Sequence, residues 1–197
     1  DPRNLASLSF HDGDRFVHNP EGPMLPDLDE LPMFPFDLFS HPRYDLGFLV
    51  SSRGCPYKCA YCSQRMMTGT TYRYKSAQRV IQELDVLINK YNRRIVTFYD
   101  DNFCIKKRRV LELCDLIVDA NFHKRCKFLL QTRADNFPED LAPILAESGF
   151  TMVGFGMETG SDRIANLIGK GETVQQHLDA VELAKRYNMQ VMLYMIN

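Results

Sequence analysis

The chain has 197 residues, 45% of them hydrophobic, and a formal net charge of -1. That length suits one substantial core with an appendage, and the near-neutral balance excludes a general basic field for holding nucleic acid or anionic membrane. No apolar run reaches the roughly 18 residues of a membrane span and no leader pattern is present, so a soluble cytoplasmic protein is expected, with neither a membrane nor a nucleic-acid partner.

At the N-terminus, Leu5 to Phe10 and Arg15 to His18 flank His11-Asp12-Gly13-Asp14, the pattern of a β-hairpin about an Asp-Gly turn. Pro20, Pro23, Pro26, Pro32, Pro35 and Pro42 then forbid a continuous helix, while Leu25, Leu28, Leu31, Phe34 and Phe36 offer apolar anchors. Residues 1–46 are expected to form a hairpin and a proline-rich linker strapped across a domain surface.

Residues 47–197 change to short apolar runs alternating with amphipathic segments, which predicts βα units and a parallel sheet. Strands are expected at Gly47 to Ser51, Ile95 to Tyr99, Phe128 to Gln131, Met152 to Phe155 and Val191 to Ile196, all continuously apolar as in a helix-covered sheet. The first helix carries Val80, Ile81, Leu84, Leu87, Ile88 and Tyr91 on one face, and the second carries Val110, Leu111, Cys114, Ile117 and Val118. A third runs from near Pro138 to Gly149, and a fourth opens on Thr173 with Gln176 completing a capping box. A full eight-unit barrel takes about 250 residues, so the fold class is α/β, a partial parallel (βα) barrel of about five strands. The chain starts at Asp1 without a Met and stops within an apolar strand at Asn197, so the domain is expected to continue past it.

Ligands of parallel α/β sheets gather at the carboxyl ends of the strands. There the chain places Arg53, Gly54 and Cys55-Pro56-Tyr57-Lys58-Cys59-Ala60-Tyr61-Cys62 after the first strand, and Asp100, Asp101 and Asn102 after the second. Thr132, Arg133 and Asp135 follow the third, and Gly156, Glu158 and Thr159 the fourth. Three thiolates on one short loop can hold three corners of an iron-sulfur cubane, which would leave the fourth iron open, whereas a structural site closes its coordination sphere. Zinc completed by a fourth thiolate or histidine is the alternative metal. Cys104, Cys114 and Cys126 lack ligand spacing and read as small hydrophobes. Asp100 and Asp101 also suit helix capping, Glu158 an ordinary loop carboxylate, and Arg133 a structural ion pair. Lys106 to Arg109 read as a solvated basic face, and Met189, Met192 and Met195 as core filler.

These residues resemble the radical S-adenosylmethionine (radical SAM) superfamily, whose loop of three cysteines separated by three and then two residues matches Cys55, Cys59 and Cys62, with an aromatic, Tyr61, before the last. The resemblance runs from Leu46 onward and looks closest to the cobalamin-binding subgroup. It is carried by Asp100-Asp101-Asn102-Phe103, Thr132-Arg133-Ala134-Asp135, Gly156-Met157-Glu158-Thr159-Gly160-Ser161 and a linker-like Pro26-Asp27-Leu28-Asp29-Glu30-Leu31-Pro32. It implies a [4Fe-4S] cluster on the three cysteines whose open iron chelates the amino and carboxylate groups of SAM. An external low-potential electron donor would drive reductive cleavage to methionine and a 5'-deoxyadenosyl radical, broadly oxidoreductase chemistry. The resemblance further implies that Asp100 or Asp101 binds the SAM amino group, although the family's own motif there is glycine-rich with Glu. Glu158 would accept from the ribose hydroxyls, Arg133 would pair with the methionine carboxylate, and the backbone near Tyr61 would meet the adenine. Cobalamin would enter through an upstream domain and serve methyl transfer or rearrangement of a substrate the sequence does not name. Two competing expectations are a cobalamin-independent radical enzyme and a noncatalytic zinc or iron-sulfur module for structure or electron transfer.

Overall fold

The computed structural model describes residues 1–39, 44 and 46–196; Pro42 of the expected strap and Asn197, the last residue of the expected core, lie outside them. In chain order the elements are β1 (Ser9–Asp12), β2 (Arg15–His18), β3 (Phe48–Leu49), β4 (Ser52–Arg53), α1 (Gln64–Met67), β5 (Arg73–Tyr74) and α2 (Ala77–Asp85). There follow β6 (Ile95–Phe98), α3 (Lys107–Asp119), β7 (Lys127–Thr132), α4 (Ala142–Glu147), β8 (Phe150–Glu158), α5 (Asp162–Leu167), α6 (Val174–Arg186) and β9 (Gln190–Met195).

Strands β3, β6, β7, β8 and β9 form one sheet in that order, every neighbouring pair parallel. Spatial order equals chain order, so each crossover advances by one strand, as in a growing βα barrel. The partial parallel barrel expected from the apolar runs is present. Along the sheet, Val96, Phe98, Phe128 and Leu130 are buried, whereas Ile95 and Tyr99 on the opposite face are exposed. The buried face receives Val80, Leu84 and Leu87 of the α2 segment and Val110, Leu113 and Ile117 of α3. Phe98, Phe103, Phe128 and Phe150 interlock there with ring centroids 4.9 to 6.2 Å apart. Each buried ring contributes roughly 1.5–3 kcal/mol, so one face of the sheet holds the fold and the other stays open.

The departures from expectation are local. The apolar stripe ending at Tyr91 is helical throughout, but its last turn widens over Val86–Lys90, where the Tyr91 N–H reaches the Val86 carbonyl at 3.1 Å. The third helix is shorter than its pattern because Pro138 to Leu141 form a separate turn, closed by the Leu141 N–H on the Pro138 carbonyl (3.0 Å). Met189 is buried as expected, but Met192 and Met195 are exposed because β9 is the edge of the described sheet. The short elements α1, α5 and the antiparallel pair β4–β5 leave no periodic signal, since each spans two to six residues.

In the N-terminal hairpin Gly13 takes φ +63° at the first loop position, as a type II' turn requires. The following strap buries Leu28 and Phe36. Polar bonds fix it to β5 and the start of α2: Asp29 accepts from the Ser76 N–H (2.9 Å), Arg79 donates to the Leu31 carbonyl (2.8 Å) and Arg73 to the Leu25 carbonyl (2.9 Å). Among the described residues no helix is long and apolar enough to cross a membrane.

Candidate functional site

The pairing of Ser52–Arg53 with Arg73–Tyr74 makes the cysteine loop and α1 a closed excursion from the end of β3. Gly54 opens it at φ +84°, and a Cβ there would sit 2.3 Å from the Thr71 carbonyl oxygen, so no other residue fits. Asp101, just past β6, gathers the loop: its carboxylate accepts from the Gly54 N–H (2.9 Å), the Thr68 hydroxyl (3.2 Å) and the Gln64 side-chain amide. On the far side the Ala60 N–H donates to the Ile168 carbonyl at the end of α5 (2.8 Å). Between these supports the Arg133 guanidinium lies 3.7 Å from the centre of the Tyr57 ring, a cation–π contact. The Tyr57 hydroxyl accepts from Asn136 (3.0 Å), which accepts from Asn102 (2.7 Å), which accepts from Thr132 (2.7 Å). The loop is thus tied to the carboxyl ends of β6 and β7.

Cys55, Cys59 and Cys62 are free, half-buried and line one cavity of about 220 Å³. Tyr61, Asp101, Arg133 and Glu158 line the same cavity. Burial pushes the Cys55 thiol above its ordinary range, opposed by a bond to the Tyr57 backbone and by the Arg133 charge. Burial, followed by Glu158 and Cys59, likewise raises Tyr61. Among the described residues no three His, Cys, Asp or Glu side chains converge on a single metal ion; a cubane, giving each thiolate a different iron, asks for wider spacing. The remaining thiols are inert by burial, which pushes Cys104 up to about 12 and Cys114 and Cys126 up to about 11.

Asp100 is not brought to the cavity. It is fully buried, and its carboxylate is consumed by the Ser51 N–H (2.6 Å), the Ser51 hydroxyl (2.5 Å) and the Ser52 N–H (2.9 Å). It closes the junction of β3 and β6 beneath the mouth. Arg109 departs from the solvated basic face expected of its run: it is buried, donating to the Lys75 carbonyl (2.7 Å) and the Ser51 carbonyl (3.1 Å).

Residues 49–197 match the family model described as the Radical SAM superfamily. The chain belongs to this enzyme superfamily. It is 32% identical over 192 residues to an uncharacterized methyltransferase of Pyrococcus horikoshii, covering 95% of this chain and 41% of that protein. It is 28% identical to the hopanoid C-2 methylase of Rhodopseudomonas palustris, covering 84% of this chain and 32% of that protein. The chain therefore spans less than half the length of these relatives. In fold it is similar to the cobalamin-dependent S-adenosylmethionine radical enzyme OxsB (TM-score 0.80, 20% identity, 100% of this chain and 30% of that one). It is also similar to the radical S-adenosylmethionine methyltransferase TsrM from Kitasatospora setae (TM-score 0.69, 20% identity, 76% and 30%).

In this radical SAM core β8 ends on Glu158 with φ +65°, a left-handed conformation held by the Ile196 N–H on the Glu158 carbonyl (2.9 Å). Such strain in a non-glycine residue collects at functional sites. A Cβ on Gly156 would lie 2.7 Å from the Glu158 carboxylate and 3.1 Å from the Lys170 ammonium, so this glycine clears space for both groups. Lys170 was not singled out from the sequence, nor was Glu172, which stands behind it. Lys170 lines the cavity, 3.8 Å from Glu158 and 3.2 Å from Glu172. Arg133 donates to both oxygens of Asp135 (2.9 and 2.8 Å) and to the Lys170 carbonyl (2.8 Å), and lies 3.4 Å from Glu172. The ion-pair reading of Arg133 is therefore present in the geometry, and most of its donors are engaged. The cavity wall carries two carboxylates, Asp101 and Glu158, and two cations, Arg133 and Lys170.

Proposed function

We propose that this chain is the core of a radical SAM enzyme in which Cys55, Cys59 and Cys62 hold a [4Fe-4S] cluster beside a SAM-binding cavity. The observation that carries this reading is the convergence of three half-buried thiols with a charge-balanced polar wall in one cavity. When bound, the cluster supplies a low-potential electron to the sulfonium of SAM. The protein's own part is binding and orientation. Two carboxylates and two cations suit a zwitterionic amino-acid end, with Lys170 and the remaining Arg133 donors facing a carboxylate and Asp101 an ammonium. Glu158, aimed inward by its left-handed backbone, supplies an acceptor for ribose hydroxyls. Tyr61 at the rim meets the adenine, while Asp100 serves the scaffold.

Residues 1–46 form the linker and 47–197 the core in this reading, with the electron supplied by an external donor. The names of the relatives favour group transfer over a general oxidoreductase assignment. Methyl transfer is accordingly the leading reaction class, with cobalamin supplied by another part of the intact protein, a reading that the cobalamin-bound fold neighbours OxsB and TsrM support. The intact protein, reconstituted with iron and sulfide under anaerobic conditions, should bind a cluster whose electron paramagnetic resonance spectrum shifts on SAM addition. A cluster spectrum indifferent to saturating SAM would sink the proposal.

A further inference from the structure

We propose that Glu172 is a positioning residue that sets the two cations of the cofactor cavity from behind its wall. Glu172 does not line the cavity, and its side chain has no exposure. Its Oε1 accepts from the Asp135 N–H (3.2 Å), and its Oε2 stands 3.2 Å from the Lys170 ammonium and 3.4 Å from the Arg133 guanidinium. Both cations line the cavity.

A cation this deeply buried is costly without a carboxylate. Lys170 has two candidates, Glu158 on the cavity side at 3.8 Å and Glu172 on the protein side at 3.2 Å. The shorter pair assigns the holding role to Glu172, which leaves Glu158 free for a ligand. The backbone supports the arrangement: Lys170 sits between Gly169 and Gly171, both at positive φ (+65° and +70°), so the chain turns sharply on each side of it. Glu172 immediately precedes Thr173, the capping residue of α6, whose first amides are already taken by Thr173 and Asp162. Gly171 has no atom within 4 Å of its Cβ position, so no steric contact forces the turn.

The inference rests on the SAM site proposed above, and its test separates the two. SAM binding to the reconstituted intact protein is measured by equilibrium dialysis for the native protein, Glu172→Gln, Lys170→Met and the double variant, with iron content and melting temperature followed in each. Glu172→Gln keeps the size of the side chain and its acceptor for Asp135 but removes the charge. It should weaken SAM binding about 10- to 100-fold, the range for supporting residues behind a cofactor site, with native iron content. In the Lys170→Met background the same change should add little, because Glu172 acts largely through Lys170. Failure of the native protein to bind SAM overturns the site itself. Native binding with unchanged affinity in Glu172→Gln, or fully additive effects in the double variant, overturns the positioning role alone. If Glu172→Gln does not fold, Glu172→Asp, which keeps the charge and shortens its reach, takes its place, and unchanged affinity there overturns the proposal.

Discussion

At the scale of single residues, the cysteine loop separates thiols that share one cavity from thiols that share only a core. Cys59→Ala removes one of the three proposed ligands and should abolish cluster loading, read as iron per chain after reconstitution. Cys114→Ala should leave loading intact and lower stability by about 1–2 kcal/mol through lost packing; equal iron loss in both variants would contradict the ligand assignment. Gly54 is a second point of discrimination. Gly54→Ala places a methyl against the Thr71 carbonyl in a left-handed backbone, costing at least about 2 kcal/mol, and should misplace the loop so that iron loading falls without any change of ligand. Unchanged loading would show that the loop tolerates another path. The cysteine loop was legible in the sequence because three thiols within eight residues are a local pattern. Glu172 and Tyr57 were not, because their partners Arg133 and Asn136 stand far away in the chain and no spacing rule links them.

Among the elements, legibility follows the length of the apolar run. The runs read as strands became β6, β7, β8 and β9 although helices cover only one face of the sheet and residues such as Ile95 and Met195 stay exposed. Strand β3 kept only Phe48–Leu49 of its expected length, since Ser51 and Ser52 turn their N–H groups to Asp100 rather than to a neighbouring strand. Helix α6 was legible at its start through the capping box but not in what it buries. Ala180, Leu183, Ala184 and His177 are buried on it, and neither ring nitrogen of His177 has a hydrogen-bond partner among the described residues. Burial holds His177 below its ordinary 6.5, outweighing the attraction of Glu172, while Lys170 and Arg133 lower it further and Asp135 opposes them. The unfolded chain takes up a proton near 6.5 and the native form resists it, so this contribution is complete above that pH and is lost as pH falls below it. Melting temperature measured from pH 7.5 down to 5.5 should therefore drop more in the native protein than in His177→Leu. Parallel curves would place the acid sensitivity elsewhere.

For the whole molecule, the sheet is asymmetric: the helix-covered face supplies the stability, and the strand ends carry the proposed site. That division was legible in outline because helix and strand periods alternate along the chain, but the charges beneath the mouth were not, because two adjacent aspartates look alike in sequence. The structure gives them different work. Asp100 holds β3 to the end of β6 with every carboxylate bond directed into the scaffold, whereas Asp101 holds only the loop that β4 and β5 close. Asp100→Ala leaves two buried N–H groups and a hydroxyl without their acceptor, at about 2–5 kcal/mol in total. For a chain of this size that is a fall of roughly 5–15 °C in melting temperature. Asp101→Ala frees a part-buried loop and should lower melting temperature by a much smaller amount while lowering iron loading directly. Scanning both variants by calorimetry, with iron content measured at a temperature where each is folded, tests the division: if Asp101→Ala proves the more destabilising and Asp100→Ala the more damaging to folded-state iron loading, scaffold and site have been assigned the wrong way round.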